Sequence, residues 1–216
     1  MERKQKSVQS RELEKKRIID ESIKLISHKS YSEFSMRSLA KELDMSATNI
    51  YQYFKNRDEI LISVLLEIFD VFIAERKAAY DAADNPIDRA RNISWAMFYF
   101  SISDFAYYDI FYGRRILPKF DEYKSGEISG LMKELEQKQI EMYRLWETIL
   151  MELYPGREPI VYKLIEHEIG SRLHGAIRFY HYKPYSALFE NKHRLITFTI
   201  DQIISDLKDP HRWDNL

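Results

Sequence analysis

The stretch Phe34–Leu61, FSMRSLAKELDMSATNIYQYFKNRDEIL, contains two short helices that begin in the same way. Ser35 and Ser46 are helix-capping residues, whose hydroxyls can accept an orphan backbone N–H in the first turn. An apolar residue precedes each cap and another follows at the fourth helical position: Phe34 with Leu39, and Met45 with Ile50. Both helices therefore carry the pattern of a hydrophobic staple. Only a short turn around Asp44 and Met45 separates them, too tight for an antiparallel hairpin. A steep crossing is expected instead, the geometry of a helix-turn-helix.

The faces of the second helix differ in chemistry. At about 100° per residue, Ile50 and Phe54 share one side with Ala47, ready to close on Leu39, Ala40 and Leu43. Thr48, Asn49 and Gln52 point the other way. They are short, uncharged hydrogen-bonding groups, suited to base edges in a major groove. Tyr51 and Tyr53 flank them, where phenol hydroxyls can reach phosphates. Lys55 at the helix end and Arg37 in the first turn of the preceding helix suit backbone charge, which positions without reading sequence. The bland alternative is a small helical hairpin with solvated polar residues.

The segment resembles the DNA-binding stretch of the tetracycline-repressor (TetR) family of bacterial transcription regulators. Ser35, Leu39, Ala40, Met45, Ser46, Ile50, Tyr51, Tyr53, Phe54, Arg57, Glu59 and Ile60 fill the places of that pattern. Two positions depart from it. Asp44 stands where the turn usually has Gly, and Asp tolerates the left-handed conformation better than most residues. Thr48 replaces a frequent Gly or Ala. The resemblance implies a homodimer on double-stranded operator DNA, a helical body that binds a small-molecule effector, and dimerisation through the last two helices. The helix faces and the resemblance together give Ser35, Arg37, Ser46, Thr48, Asn49, Tyr51, Gln52, Tyr53 and Lys55 as the expected DNA-binding residues.

The 216 residues can hold such a head and body, with 45% hydrophobic residues to form a core and 31% charged residues for a solvated surface. Residues 1–60 hold 13 Lys and Arg against 10 Asp and Glu, +3; the remainder holds 20 against 24, −4. That mild bias puts positive charge at the DNA end of a chain whose net charge is −1. Arg3, Lys4, Lys6 and Arg11 form either an arm along a phosphate strand or a solvated tail. Cysteine is absent, which removes disulfides and thiolate chemistry. No apolar run approaches a bilayer span, and none follows the N-terminal charges, so a cytoplasmic protein is expected.

Nearly everything reads as helix, giving an all-α fold of about nine helices, with a DNA-binding domain at 1–56 and a ligand-binding and dimerisation domain at 57–216. The expected helices are Arg11–His28, the reading pair, Arg57–Tyr80, a helix started by Asn85-Pro86-Ile87-Asp88 and running to Ser101, Ser125–Leu153, Ile160–Tyr182 and Tyr185–Leu207. Irregular ground is expected around Tyr112, Gly113 and Pro118.

Nine aromatic residues crowd between Trp95 and Tyr112, and Met132, Met142, Tyr143, Trp146 and Met151 follow on the next long helix. Aromatic walls with adaptable Met suit a pocket for a flat or greasy molecule. Trp95, Phe98, Tyr99, Phe105, Tyr108, Met142 and Trp146 are the candidate ligand residues, with a plain core as the competing reading for most. His167, His174 and His181 recur every seven residues, about 10.5 Å apart along a helix, too far to share one metal ion. Neither a metal nor a cofactor is expected. Gly170, Ser171 and Gly175 would let a second helix approach; with His174, and with Phe198 and Ile203 on the last helix, they mark a candidate dimer seam. No phosphate-cradling loop, HExxH or nucleophile elbow occurs, so an enzyme is not expected. The reading reached is a ligand-responsive regulator, most readily a repressor; the alternative is a small-molecule sensor whose DNA binding is constitutive or vestigial.

Overall fold

A computed structural model describes residues 2–28, 33–113, 123, 125–182 and 191–216, with side chains from residue 9 onward. Among the described residues the chain is helical without strands. Its elements are α1 (Glu2–His28), α2 (Met36–Glu42), α3 (Ala47–Ile50), α4 (Arg57–Asp81), α5 (Pro86–Ser103), α6 (Phe105–Tyr108) leading into a π-helical turn (Asp109–Gly113), α7 (Ser129–Leu153), α8 (Pro159–His181) and α9 (Lys192–Lys208). No described helix is long and apolar enough to cross a membrane.

The chain folds as two compact units. The first combines Met1–Asp70 with Asp104–Gln139, and the second Val71–Ser103 with Ile140–Leu216. This division by compactness is a different one from the expected boundary at residue 56. In the first unit α1 packs on α2 and on α6 with its π turn. Ile18 and Ile26 of α1 are fully buried there, as are Leu39 and Ile50. Lys16 ties α1 to α4, donating to Asp20 at 2.7 Å and to Glu67 at 2.8 Å. Burial works against its charge, but these two carboxylates outweigh it and hold the ammonium well above its ordinary value.

In the second unit α8 packs on α9 and both pack on α5. Ile165, Ile169, Leu173 and Ile177 of α8 meet the same core as Ile196, Ile200, Ile203 and Ile204 of α9. The C-terminus is tied down as well: Arg157 donates to the Trp213 carbonyl at 2.9 Å, and Tyr154 to the Leu207 carbonyl at 2.8 Å.

Three helix boundaries differ from expectation for local reasons. α1 starts at Glu2 rather than Arg11, because the polar run before Arg11 contains no breaker and extending a nucleated helix is easy. The ground around Tyr112 and Gly113 is helical, since the Asp104 side chain caps α6 by accepting the Tyr107 N–H at 3.2 Å. α7 starts at Ser129 rather than Ser125, because Gly126 takes φ 94° and opens the chain into a turn. The Asn85 signal behaves as read: its side chain accepts the Asp88 N–H at 2.9 Å. Pro118, Lys183, Pro184 and Tyr185 lie outside the described residues.

Candidate nucleic-acid interface and ligand cavity

The two helices of the motif are built by short-range bonds. Ser35 accepts the Ser38 N–H at 3.1 Å, and the Ser38 hydroxyl accepts the Ser35 N–H at 3.0 Å. This is a reciprocal capping box, closed by Ser where Glu is more usual. Phe34 and Leu39, the first staple pair, are both buried. α2 then stops in a Schellman turn: Met45 donates to the Ala40 carbonyl at 2.9 Å and Asp44 to the Lys41 carbonyl at 3.3 Å. Asp44 sits at φ 54°, the left-handed residue that this turn requires. Arg17 reaches across from α1 and donates to the Leu43 carbonyl at 2.9 Å, satisfying another helix-end acceptor.

Ser46 caps α3 by accepting the Asn49 N–H at 3.2 Å. The regular helix is only Ala47–Ile50, but turns carry it further, with Tyr53 and Phe54 both donating to the Ile50 carbonyl. Ile50 and Phe54 are buried beneath, while Thr48, Asn49, Tyr51 and Gln52 are exposed above. Lys55 starts a new turn, its N–H reaching the Glu59 carboxylate at 2.5 Å while Asn56 caps α4. Ser35 and Ser46 remain exposed although their hydroxyls cap helices, and Arg37 is exposed with no ion pair among the described residues.

Two contacts here lie beyond local sequence reading. Arg11 donates to the Gln52 carbonyl at 2.6 Å and lies 5.4 Å over the Tyr53 ring, so it braces the second helix from α1. The side chains of Arg3, Lys4 and Lys6 lie outside the described residues. Lys55 meets Glu127 at 3.5 Å, an exposed pair between residues 72 positions apart.

The seven candidate ligand residues are divided between the two units. Phe105 and Tyr108 belong to the first unit; Trp95, Phe98, Tyr99, Met142 and Trp146 belong to the second. Phe98 and Tyr108 are completely buried, and Met142 and Trp146 nearly so, because apolar positions at helical spacing pack into cores first. Trp95 stacks with Tyr99 and His193, at 5.7 and 5.4 Å between ring centres, while Tyr99 stays half exposed.

A cavity of the second unit with a volume of about 670 Å³ has a different lining. α7 supplies Ile140, Tyr143 and Glu147; α8 supplies Tyr162, Lys163, Leu164, Glu166 and His167. Burial pushes the Glu166 carboxyl up to about 8; Arg76 opposes that rise and Glu147 adds to it. The Tyr143 phenol is raised too, first by burial and then by Glu166. Sequence reading named Tyr143 among the aromatics and His167 in the histidine stripe but did not take Glu147 or Glu166 as site residues. A signal existed nonetheless, since Tyr143/Glu147 and Tyr162/Glu166 repeat one Tyr–Glu pair at the four-residue spacing that shares a helix face.

The candidate seam is mixed. Ser171 is exposed, and Gly170, His174 and Gly175 are half-buried. Phe198 is 64% exposed, yet Ile203 is fully buried in the chain's own core and offers no surface to a second copy. Ile203 faces inward because it continues the Ile196–Ile200 stripe of α9. A shallow depression of about 450 Å³ runs between α8 and α9, with Ser171, Gly175 and Phe179 on one side and Leu195 and Phe198 on the other. Burial lowers the His174 and His181 imidazoles below their ordinary value, and Arg178 adds to both shifts.

Residues 18–64 match the family described as "Bacterial regulatory proteins, tetR family". An uncharacterised HTH-type transcriptional regulator of Haemophilus influenzae is 31% identical over 77 residues, 36% of this chain and 41% of that protein. The match thus spans about two-fifths of that relative. Among solved structures, a tetR-family regulatory protein from Rhodococcus RHA1 superposes with TM-score 0.66 at 16% identity, covering 88% of this chain and 95% of its own. The regulator FadR of Bacillus subtilis, solved with stearoyl-CoA, gives TM-score 0.61 at 17% identity, covering 89% and 97%. At those identities the likeness of the body is one of fold. The capped, stapled pair lies within residues 18–64, the segment that matches the tetR family of bacterial regulatory proteins.

Proposed function

We propose that the protein is a ligand-responsive transcriptional repressor that binds a palindromic operator as a homodimer. One observation carries the reading: Ile50 and Phe54 are locked beneath the second helix while Thr48, Asn49, Tyr51 and Gln52 stand exposed on its other face. In this reading residues 1–56 contact DNA. Thr48, Asn49 and Gln52 read bases, while Arg37, Tyr51, Tyr53 and Lys55 hold phosphates, with Ser35 and Ser46 fixing the helices at the groove edge. Two copies would enter major grooves about 34–36 Å apart or somewhat more.

Dimerisation would use the exposed face of α8 and α9. A Cβ added at Gly170 or Gly175 would meet nothing within the chain, so the small size of these residues serves no packing of its own. It leaves room for a neighbouring helix beside Phe179 and Phe198, both substantially exposed. Gly175→Leu should leave the monomer fold intact and weaken the dimer, as read by sedimentation. An unchanged dimer constant would remove Gly175 from the seam.

The remainder of the second unit would hold the effector, as the stearoyl-CoA complex of FadR suggests for a body of this fold. α4 runs without a break from Arg57 to Asp81 and contributes to both units, a covalent path along which an effector could change the spacing of the reading helices. Selecting sites from randomised duplex DNA and measuring affinity over a salt series tests the whole reading. A sequence preference with a steep fall in affinity at rising salt is expected. Tyr51→Ala and Lys55→Ala should weaken binding to every sequence; Gln52→Ala should change which sequence is preferred. Salt-insensitive or sequence-blind binding would reject the assignment.

A further inference from the structure

The α7–α8 cavity is a half-open cleft with an unusual set of polar groups along it. None of Tyr143, Glu147, Lys163, Glu166 and His167 makes a hydrogen bond or ion pair among the described residues, although all five line the same space. Tyr143, Lys163 and His167 are exposed to solvent, while Glu147 and Glu166 are partly buried, where a carboxylate without a partner has a cost. Their arrangement has a polarity. Lys163 and His167 are exposed at the rim of α8 with Leu164, whereas Glu166 and Glu147 are more enclosed. The groups of α8 and α7 facing Glu166 are Lys163, His167, Tyr143 and Glu147. Arg76 of α4 acts on it as well, but is itself engaged, with its guanidinium 5.1 Å from the Phe72 ring and 3.5 Å from the Met142 carbonyl.

We propose that this cavity is a binding site for a small amphiphile carrying one protonated amine, with the Glu166 carboxylate as its counter-charge. Tyr143 and Glu147 flank the amine, and the apolar body lies along Ile140 and Leu164. The volume, about 670 Å³, falls within the range typical of drug-sized ligand sites. A carboxyl with no internal partner stays protonated in a low-dielectric surround, and an arriving ammonium supplies the missing charge. Binding then displaces one proton from Glu166 to solvent. An anion would meet the two carboxyl groups instead. This inference rests on the second unit being the ligand-binding part of the protein.

Titration calorimetry of the full chain with dodecylamine, dodecanol and dodecanoate, each below its micelle concentration, separates the possibilities. Dodecylamine should bind at least about tenfold tighter than dodecanol, with dodecanoate weakest. Below pH 8 its affinity should rise by up to roughly tenfold per pH unit, and heats in buffers of different ionisation enthalpy should report release of about one proton near pH 7. Glu166→Gln, which mimics the protonated carboxyl and so keeps the fold, should erase both the amine preference and the proton release while leaving dodecanol binding unchanged. Equal binding of the three probes, tightest binding of dodecanoate, or amine binding without proton release overturns the proposal. So does a Glu166→Gln variant altered in dimer constant alone, which would make a second copy the occupant. Amine binding as expected with operator affinity unmoved supports the site and counts against its being the effector site, so the two readings fail separately.

Discussion

The reading pair and the α7–α8 cavity differ in where their polar groups find partners. Around α2 and α3, hydroxyls and carboxylates are engaged within a few residues: Ser35 with Ser38, Ser46 with Asn49, and Glu59 with Lys55 and Asn56. The exposed side chains of Thr48, Asn49 and Gln52 above them make no bond among the described residues. In the cavity the order is reversed, for the residues of interest are themselves the groups without internal partners. A surface that docks on a large rigid partner needs its own geometry fixed first. A cavity for a small molecule holds its unsatisfied groups in reserve.

The contrast breaks most severely at Leu39, the fully buried residue shared by the staple and the miniature core. Leu39→Ala should cost about 2–5 kcal/mol and lower the first unfolding transition followed by circular dichroism. Binding to selected DNA should fall with it, because Ile50 loses the surface that seats the second helix. A loss below about 1 kcal/mol would show that α2 and α3 are held by their caps and turns rather than by their core.

Next in size is a gain. The Glu166 carboxyl is raised from near 4.5 to about 8, so between those values the folded chain holds a proton that the unfolded chain has released. Stability contributed by this group is therefore present at low pH and lost as pH rises through 8. Glu166→Gln has no charge to bury. It should match the parent near pH 5 and exceed it by up to roughly 3 kcal/mol at pH 8.5. Parallel pH–melting curves for the two proteins would sink the claim that the cavity carboxyl lacks a partner.

Smaller still is the cap. Ser35→Ala removes the acceptor for the Ser38 N–H while keeping the Ser35 N–H bond to the Ser38 hydroxyl, and should cost about 1 kcal/mol in thermal unfolding. Ser35→Asp should recover most of that loss, since a carboxylate accepts the same N–H and suits the helix N-terminus.

These sizes explain what could be read from the sequence. The reading pair was legible because its determinants lie within a window of about twenty residues, and because caps, staple and left-handed turn each have a local signature. Even the positive φ of Asp44 follows from the tightness of the turn. The aromatic residues were ambiguous because size and greasiness describe a core and a pocket equally well. Phe98 and Tyr108 went to the core, and Phe105 with Tyr108 went to the other unit, a division that depends on the chain leaving and re-entering at Asp104 and Gln139. The burial of Glu166 was hidden for a related reason: α7 lines the same space from some twenty residues upstream, so the Tyr–Glu spacing within α8 alone does not report it. Ile203 shows the limit on the seam, since an apolar stripe does not announce whether it faces its own chain or a copy.

The smallest expected effect bears on Lys55, the point where the reading pair ceases to be self-contained. Lys55 meets Glu127 at 3.5 Å, and both side chains are more than half exposed, at 57% and 75%. Such a pair contributes between about 0 and 1 kcal/mol, so Glu127→Gln should leave the melting temperature almost unchanged. Its consequence is expected in DNA binding instead. Glu127 is a negative charge held beside a cation assigned to phosphate, and it must be displaced or tolerated when DNA arrives. Removing it should tighten binding severalfold at low salt, with little gain at high salt, where screening already weakens the pair. Sequence preference should stay as it was, because Lys55 reads no base. The double variant Glu127→Gln with Lys55→Ala should bind no better than Lys55→Ala alone. If it does bind better, Glu127 repels DNA through the general field of the head, and Lys55 is not the residue through which it acts.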